Sequence, residues 1–178
     1  MAILAAAVTV IGVLCLTDLL LTFGVIRRLR NHSELLAGYQ AAESAIVGLR
    51  AGAIPEPFSA VTTDGVAVNV SSGLRLAAFF SSSCSACPEQ VPPFLQYVRE
   101  NRLDKAAVLA VMIGQADQPA RYLARLAGVA QVCLEAEQGP VAEAFQVTGF
   151  PAFFVLDGDG AVLGSGFDPS TLPALAAV

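Results

Sequence analysis

Tryptophan is absent from this chain of 178 residues, histidine occurs once, at His32, and cysteine occurs four times. The scarcity of histidine argues against metal. Cys84 and Cys87 form the single close cysteine pair, and a tetrahedral zinc site needs four donors. Four unevenly placed cysteines also exclude a disulfide-stapled scaffold. Basic residues are few as well: 10 Lys and Arg against 15 Asp and Glu leave a net charge of −5. Without a basic stripe, that balance excludes nucleic acid as a partner. There are no internal repeats and no long low-complexity tract, and no motif calls for a cofactor.

Charge is nearly missing from residues 1–26, where Asp18 is the one charged side chain. This stretch contributes to a hydrophobic fraction of 55% and a mean hydropathy of +0.64. A helix of that length is about 39 Å long at 1.5 Å per residue, enough to cross a hydrocarbon core of ~30 Å. Arg27, Arg28 and Arg30 follow, where lipid headgroups are met. No basic region precedes the run and no small-x-small cleavage site follows it, so an uncleaved single-pass anchor is expected over 1–26. Cys15 fails as a lipoprotein cysteine because bulky Leu14 precedes it. Asp18 is costly at mid-bilayer unless it is protonated, paired with a partner helix, or close to the interface.

Beyond the anchor, Leu35, Leu36, Tyr39, Ala42, Ile46 and Leu49 recur at helical spacing, which predicts a juxtamembrane helix over 33–50 with Ser33 as its N-cap. Gly52 and Pro55-Glu56-Pro57 end it, so 27–53 reads as helix and linker. From Ile54 onward strands and helices alternate. Strands are predicted at 74–80, 106–113, 130–134, 150–156 and 161–164, and helices at 88–101, 118–127, 140–145 and 170–177. Asp64-Gly65 reads as a turn after which Val66, Val68 and Val70 alternate, and Asp157-Gly158-Asp159-Gly160 as a hairpin turn. Crossover helices followed by a final hairpin imply an α/β domain over 54–178: a mixed sheet flanked by helices.

The chemistry is concentrated at Phe79-Phe80-Ser81-Ser82-Ser83-Cys84-Ser85-Ala86-Cys87-Pro88, a Cys-x-x-Cys after an apolar run. Two cysteines at that spacing come within disulfide range in the first turn of a helix. A helix N-terminus also sets unpaired N–H groups and a positive dipole end beside the first sulfur, which stabilises negative charge there. The pattern reads as a thiol–disulfide redox centre. Cys84, at the exposed end, is the candidate attacking sulfur, and Cys87, one turn inside, the candidate resolving sulfur. Cys133, on a short apolar strand, reads as a buried small hydrophobe.

With these residues in place, 54–178 resembles the thioredoxin fold, and within it the membrane-anchored TlpA/ResA-like group of thiol–disulfide oxidoreductases. The resemblance is carried by Pro55-Glu56-Pro57-Phe58-Ser59 with Asp64-Gly65, by Phe79-Phe80 leading into Cys84-Ser85-Ala86-Cys87, by Pro92, and by Thr148-Gly149-Phe150-Pro151-Ala152-Phe153-Phe154. It implies that Pro151 is the cis-proline beside the redox pair. Gly149 and Phe150 would then be substrate-contacting residues whose backbone pairs with an extended client. Phe150 is bulkier than the threonine, valine or isoleucine common there, and it either shields the sulfurs or selects apolar clients. Gln90 stands where the group commonly has a glutamate, and a glutamine cannot exchange a proton with Cys87. The relay candidates are therefore Glu89, about 100° around the helix from Gln90, Gln90 as a hydrogen-bonding group only, and water. Ser83 replaces the tryptophan that often precedes the first cysteine.

The resemblance implies a membrane-tethered enzyme exchanging disulfides with protein thiols, re-set by an upstream redox partner. The alternative is an accessory protein dedicated to maturing one partner enzyme, as in the methylamine dehydrogenase accessory proteins. Histidine scarcity argues against copper delivery of the Sco type. The lack of a proline in Ser81-Ser82-Ser83 argues against peroxiredoxin chemistry. Positive-inside counting on Arg27, Arg28 and Arg30 puts the domain in the cytoplasm, whereas the resemblance implies an extracytoplasmic domain, where disulfide chemistry is needed. The expectation adopted is the outer side.

Overall fold

The computed structural model describes Gly12 and residues 47–114 and 122–175. The chain divides into two compact units, Met1–Ser44 and Ala45–Val178. The expected anchor at 1–26 and most of the expected juxtamembrane helix lie outside the described residues. Among the described residues, no helix is long and apolar enough to cross a membrane.

The second unit is built on a five-stranded sheet in the order β5-β4-β3-β6-β7. Its strands are β3 (Leu76–Ser81), β4 (Val108–Ile113), β5 (Gln131–Glu135), β6 (Ala152–Leu156) and β7 (Val162–Gly166). β1 (Ser59–Val61) and β2 (Ala67–Asn69) form a separate antiparallel hairpin through the Asp64-Gly65 turn. The central strand β3 runs parallel to β4 and antiparallel to β6. Every residue of β3, β4 and β6 is buried, which is why they read as unbroken apolar runs rather than alternating ones. The two-residue period still sorts them. Ala77 and Phe79 join one core with Val111 and Phe154, while Leu76, Ala78 and Phe80 join the other with Met112 and Phe153.

The helices are α1 (Cys87–Glu100), α2 (Leu123–Ala127) and α3 (Pro140–Ala144). α1 buries Cys87, Val91, Phe94, Tyr97 and Val98, one stripe at spacings of three and four. Pro88 sits in its first turn, where a missing N–H costs little. Pro92 and Pro93 lie inside the helix, removing two further donors. α3 starts on Glu135, whose carboxylate accepts the N–H groups of Val141 at 2.9 Å and Ala142 at 3.2 Å.

Three expectations change. The helix expected over 33–50 does not extend through its described end: residues 47–50 are non-helical. Val47 O accepts Thr148 N–H at 3.1 Å, and Leu49 N–H bonds Phe145 O at 3.0 Å. A Cβ on Gly48 would lie 2.4 Å from Phe145 O, so this close approach needs glycine. Nor do residues 51–53 hang free as a linker. Gly52 N–H and Ala53 O exchange hydrogen bonds with Val162 of β7, at 2.7 and 2.8 Å, so the fold begins before Ile54. The closing helix expected over 170–177 reduces to a 3-10 turn, Pro169–Thr171, with 172–175 non-helical. That segment is strapped to α1 instead: Tyr97 Oη donates to Pro173 O, and Leu175 N–H bonds Asn101 Oδ1 at 2.7 Å.

Candidate active site

The carboxyl end of β3 delivers the cysteine pair. β3 stops at Ser81, five residues turn, and α1 begins at Cys87. Cys84 thus lies just ahead of the helix rather than within its first turn, and the helix N-terminus reaches back to it: Cys87 N–H donates to Cys84 Sγ at 3.2 Å. The turn is pinned by Ser82 N–H to Ile113 O at 2.9 Å and Cys84 N–H to Ser81 O at 3.2 Å. Gly114, at φ +143°, backs the turn; a Cβ there would meet Ser82 Oγ at 2.0 Å, so no other residue fits without displacing it.

The opposite wall comes from the start of β6. Phe79 pairs with Ala152 in the antiparallel β3/β6 ladder, so the residues just ahead of Ala152 lie beside the Cys-x-x-Cys turn. The Phe150–Pro151 peptide bond is cis, and the Cys84 thiol donates to Phe150 O at 3.4 Å. Residues 66 positions apart in sequence are joined there.

The two sulfurs are unequal. Both are free thiols, Cys84 half-buried and Cys87 fully buried. Burial pushes the Cys87 thiol up from 9.0 to about 12, with its hydrogen bond to Cys84 and the charge there adding, while a hydrogen bond with the Ser81 backbone pulls the other way. One sulfur is therefore partly open to solvent and the other is held protonated behind it.

Of the remaining expected site residues, Phe150 is half-buried and packs against both cores. Gly149 faces Phe167, whose ring would stand 3.3 Å from a Cβ there. Glu89 is exposed in the first turn of α1. Gln90 is half-buried, with its Oε1 shut off from solvent and without a hydrogen-bond partner. A cleft of about 540 Å³ opens beside the pair, lined by Ser83, Phe150, Ile113 and Val147 among others, and by the carboxylates Glu137 and Glu143.

Two residues at the site escape sequence reasoning. Ser81 is a hub rather than a spacer, because its hydroxyl accepts Ser83 N–H at 3.3 Å while its carbonyl serves Cys84. Tyr122 is buried at 8% exposure. Its pKa rises to about 12, chiefly through burial and then through the charges of Cys87 and Cys84. Ser81 stands in the stretch around the pair and its bonds are local, whereas no motif marks Tyr122, whose proximity is tertiary.

No family model matches the chain, and no curated protein matches its sequence. Solved structures do match. A thio-disulfide isomerase from Thermus thermophilus is 20% identical with a TM-score of 0.53, covering 67% of this chain and 87% of its own. The fold is thioredoxin-like. The thioredoxin domain of a thiol-disulfide oxidoreductase from Bacteroides vulgatus aligns at 18% identity and TM-score 0.52, over 66% of this chain and 88% of that one. A thiol:disulfide interchange protein from a Bacteroides species aligns at 16% and 0.51, over 68% and 86%. At such identities the likeness is one of fold, and the chemistry rests on the residues above.

Proposed function

We propose that this chain is a thiol–disulfide oxidoreductase that exchanges disulfides with protein cysteines through Cys84 and Cys87. The observation that carries the reading is the unequal pair: an accessible Cys84 thiol that receives the Cys87 N–H, a buried Cys87 thiol behind it, and the Phe150 carbonyl alongside. In the reducing direction Cys84 sulfur attacks a client disulfide and the client's second sulfur leaves, taking a proton. Cys87 then attacks the Cys84–client disulfide, the Cys84–Cys87 bond forms, and the client's remaining sulfur leaves as a thiol. Two electrons pass to the client, and an upstream redox partner restores the dithiol; oxidation is the reverse. Gln90 cannot carry the Cys87 proton, which therefore passes to the departing client sulfur directly or by way of water or the exposed Glu89 carboxylate.

The fold and the names borne by its structural neighbours support this reading, and the apolar run over 1–26 supports a membrane tether. The need of disulfide chemistry for an oxidising compartment supports a redox domain outside the cytoplasm, against the positive-inside count on Arg27, Arg28 and Arg30. Cys84→Ser should abolish insulin disulfide reduction by the full chain, and activity that survives the change overturns the assignment. A Cys87→Ser variant traps clients: many mixed disulfides mark a general enzyme, a single one a dedicated maturation factor. Maleimide labelling of intact cells, with impermeant reagent reaching Cys84 only if the domain is outside, tests the topology.

A further inference from the structure

Tyr122 stands just before α2, and its phenol has two acceptors in reach, Ser81 O at 3.5 Å and Met112 Sδ at 3.9 Å. A buried hydroxyl needs an acceptor, and a carbonyl oxygen is a better one than a thioether. The carbonyl in question serves the redox pair. It accepts Cys84 N–H at 3.2 Å, while the N–H of the same residue donates to the Cys87 sulfur. The Tyr122 ring is fixed by Phe80, 5.8 Å away at 59°, in the same core as Cys87 and Met112. Burial and the two cysteines keep the phenol a neutral donor to about pH 12.

We propose that Tyr122 is a positioning residue of the redox pair: its hydroxyl, bonded to the Ser81 carbonyl, holds the backbone that contacts both cysteines in the arrangement suited to two separate thiols, and so favours the dithiol over the disulfide. The inference rests on the thiol–disulfide reading of Cys84 and Cys87. Closing the disulfide removes both S–H protons and with them the Cys84 bond to Phe150 O, and it draws two separate sulfurs to about 2 Å, a movement that pulls on the Cys84 turn. A tethered Ser81 opposes that shift.

The test is the equilibrium between the full chain and glutathione. Protein dithiol and oxidised glutathione give protein disulfide and two reduced glutathiones; the glutathione S–S bond breaks, the Cys84–Cys87 bond forms, and the two protons pass to glutathione sulfur. Tyr122→Phe should move this constant about 2- to 10-fold toward the protein disulfide, the size expected from losing one hydrogen bond. Met112→Leu, which removes only the sulfur acceptor, should leave it within about twofold by the same reasoning. Tyr122→3-fluorotyrosine, a stronger donor of nearly the same shape, should move it the opposite way, and decides alone if Tyr122→Phe does not fold. An unchanged constant in Tyr122→Phe with a lowered Tm marks a merely structural tyrosine and overturns the inference. A shift toward the dithiol, or an equal shift in Met112→Leu, overturns it too. All three results leave the thiol–disulfide reading standing, whereas a chain that forms no Cys84–Cys87 disulfide in glutathione overturns both.

Discussion

Cys87 and Cys133 are both buried thiols, at 0% and 1% exposure, in the two different cores of one sheet. Burial is the main cause that lifts each, Cys87 to about 12 and Cys133 to about 11. What differs is the neighbour. Cys87 has a second sulfur one turn away, whereas Cys133 sits opposite Val111 in the β4/β5 ladder and feels the Glu135 carboxylate as a like charge. Burial alone makes a thiol inert. In the proposed function, a neighbouring sulfur at a helix N-terminus makes the same kind of thiol half of a redox couple.

The widest gap between the two sites should be in turnover. Cys87→Ser is expected to stop insulin reduction after one event, leaving a Cys84–client adduct visible by mass spectrometry, while Cys133→Ser keeps the wild-type rate. Equal losses in both would break the comparison. The cores come next. Phe79→Ala and Phe80→Ala each empty a fully buried site and should cost about 3–5 kcal/mol in urea unfolding. Only Phe80, which packs against Tyr122 in the Cys87 core, should also shift the redox equilibrium of the folded protein.

Glu135→Ala should cost less, about 1–3 kcal/mol, because it strips the acceptor from two N–H groups at the start of α3. It should leave disulfide exchange unchanged, as befits the structural side of the comparison.

Alkaline pH separates the two thiols more finely. Unfolded cysteine loses its proton near 9.0, while folded Cys133 holds it to about 11 and Cys87 to about 12. The unfolded state therefore binds fewer protons in that window. The stability these groups contribute is whole below pH 9 and is lost as pH rises through the folded values. The urea midpoint should fall from pH 9 upward, and Cys133→Ala should make the fall between 9 and 11 shallower without removing it, because Cys87 and, from pH 10, Tyr97 and Tyr122 still contribute. A midpoint that does not fall contradicts the raised values.

Much of the fold was legible because its signals are local. The run before Cys84 is bounded by turn residues and appears as β3, and the stripe from Cys87 to Val98 appears as α1. Asp157-Gly158-Asp159-Gly160 forms its turn because Asp157 Oδ1 accepts both Asp159 N–H and Ala161 N–H at 2.9 Å. Local patterns misled where distant partners intervened. Leu49 continues a helical spacing, yet its N–H goes to Phe145. Pro173 lies in a predicted helix, yet its carbonyl goes to Tyr97.

By itself the sequence determined the strand–turn–helix that places Cys84 and Cys87 three residues apart at a helix start, because spacing along one chain needs no partner. It also pointed, by resemblance, to Pro151. It pointed as well to Cys84 as the outer sulfur and Cys87 as the inner one. Tertiary structure closed Cys87 off completely. It set the Phe150 carbonyl against Cys84 and brought Tyr122 to Ser81. Those contacts depend on sheet register, which is settled only when β3 pairs with β4 and β6 and both faces are buried at once.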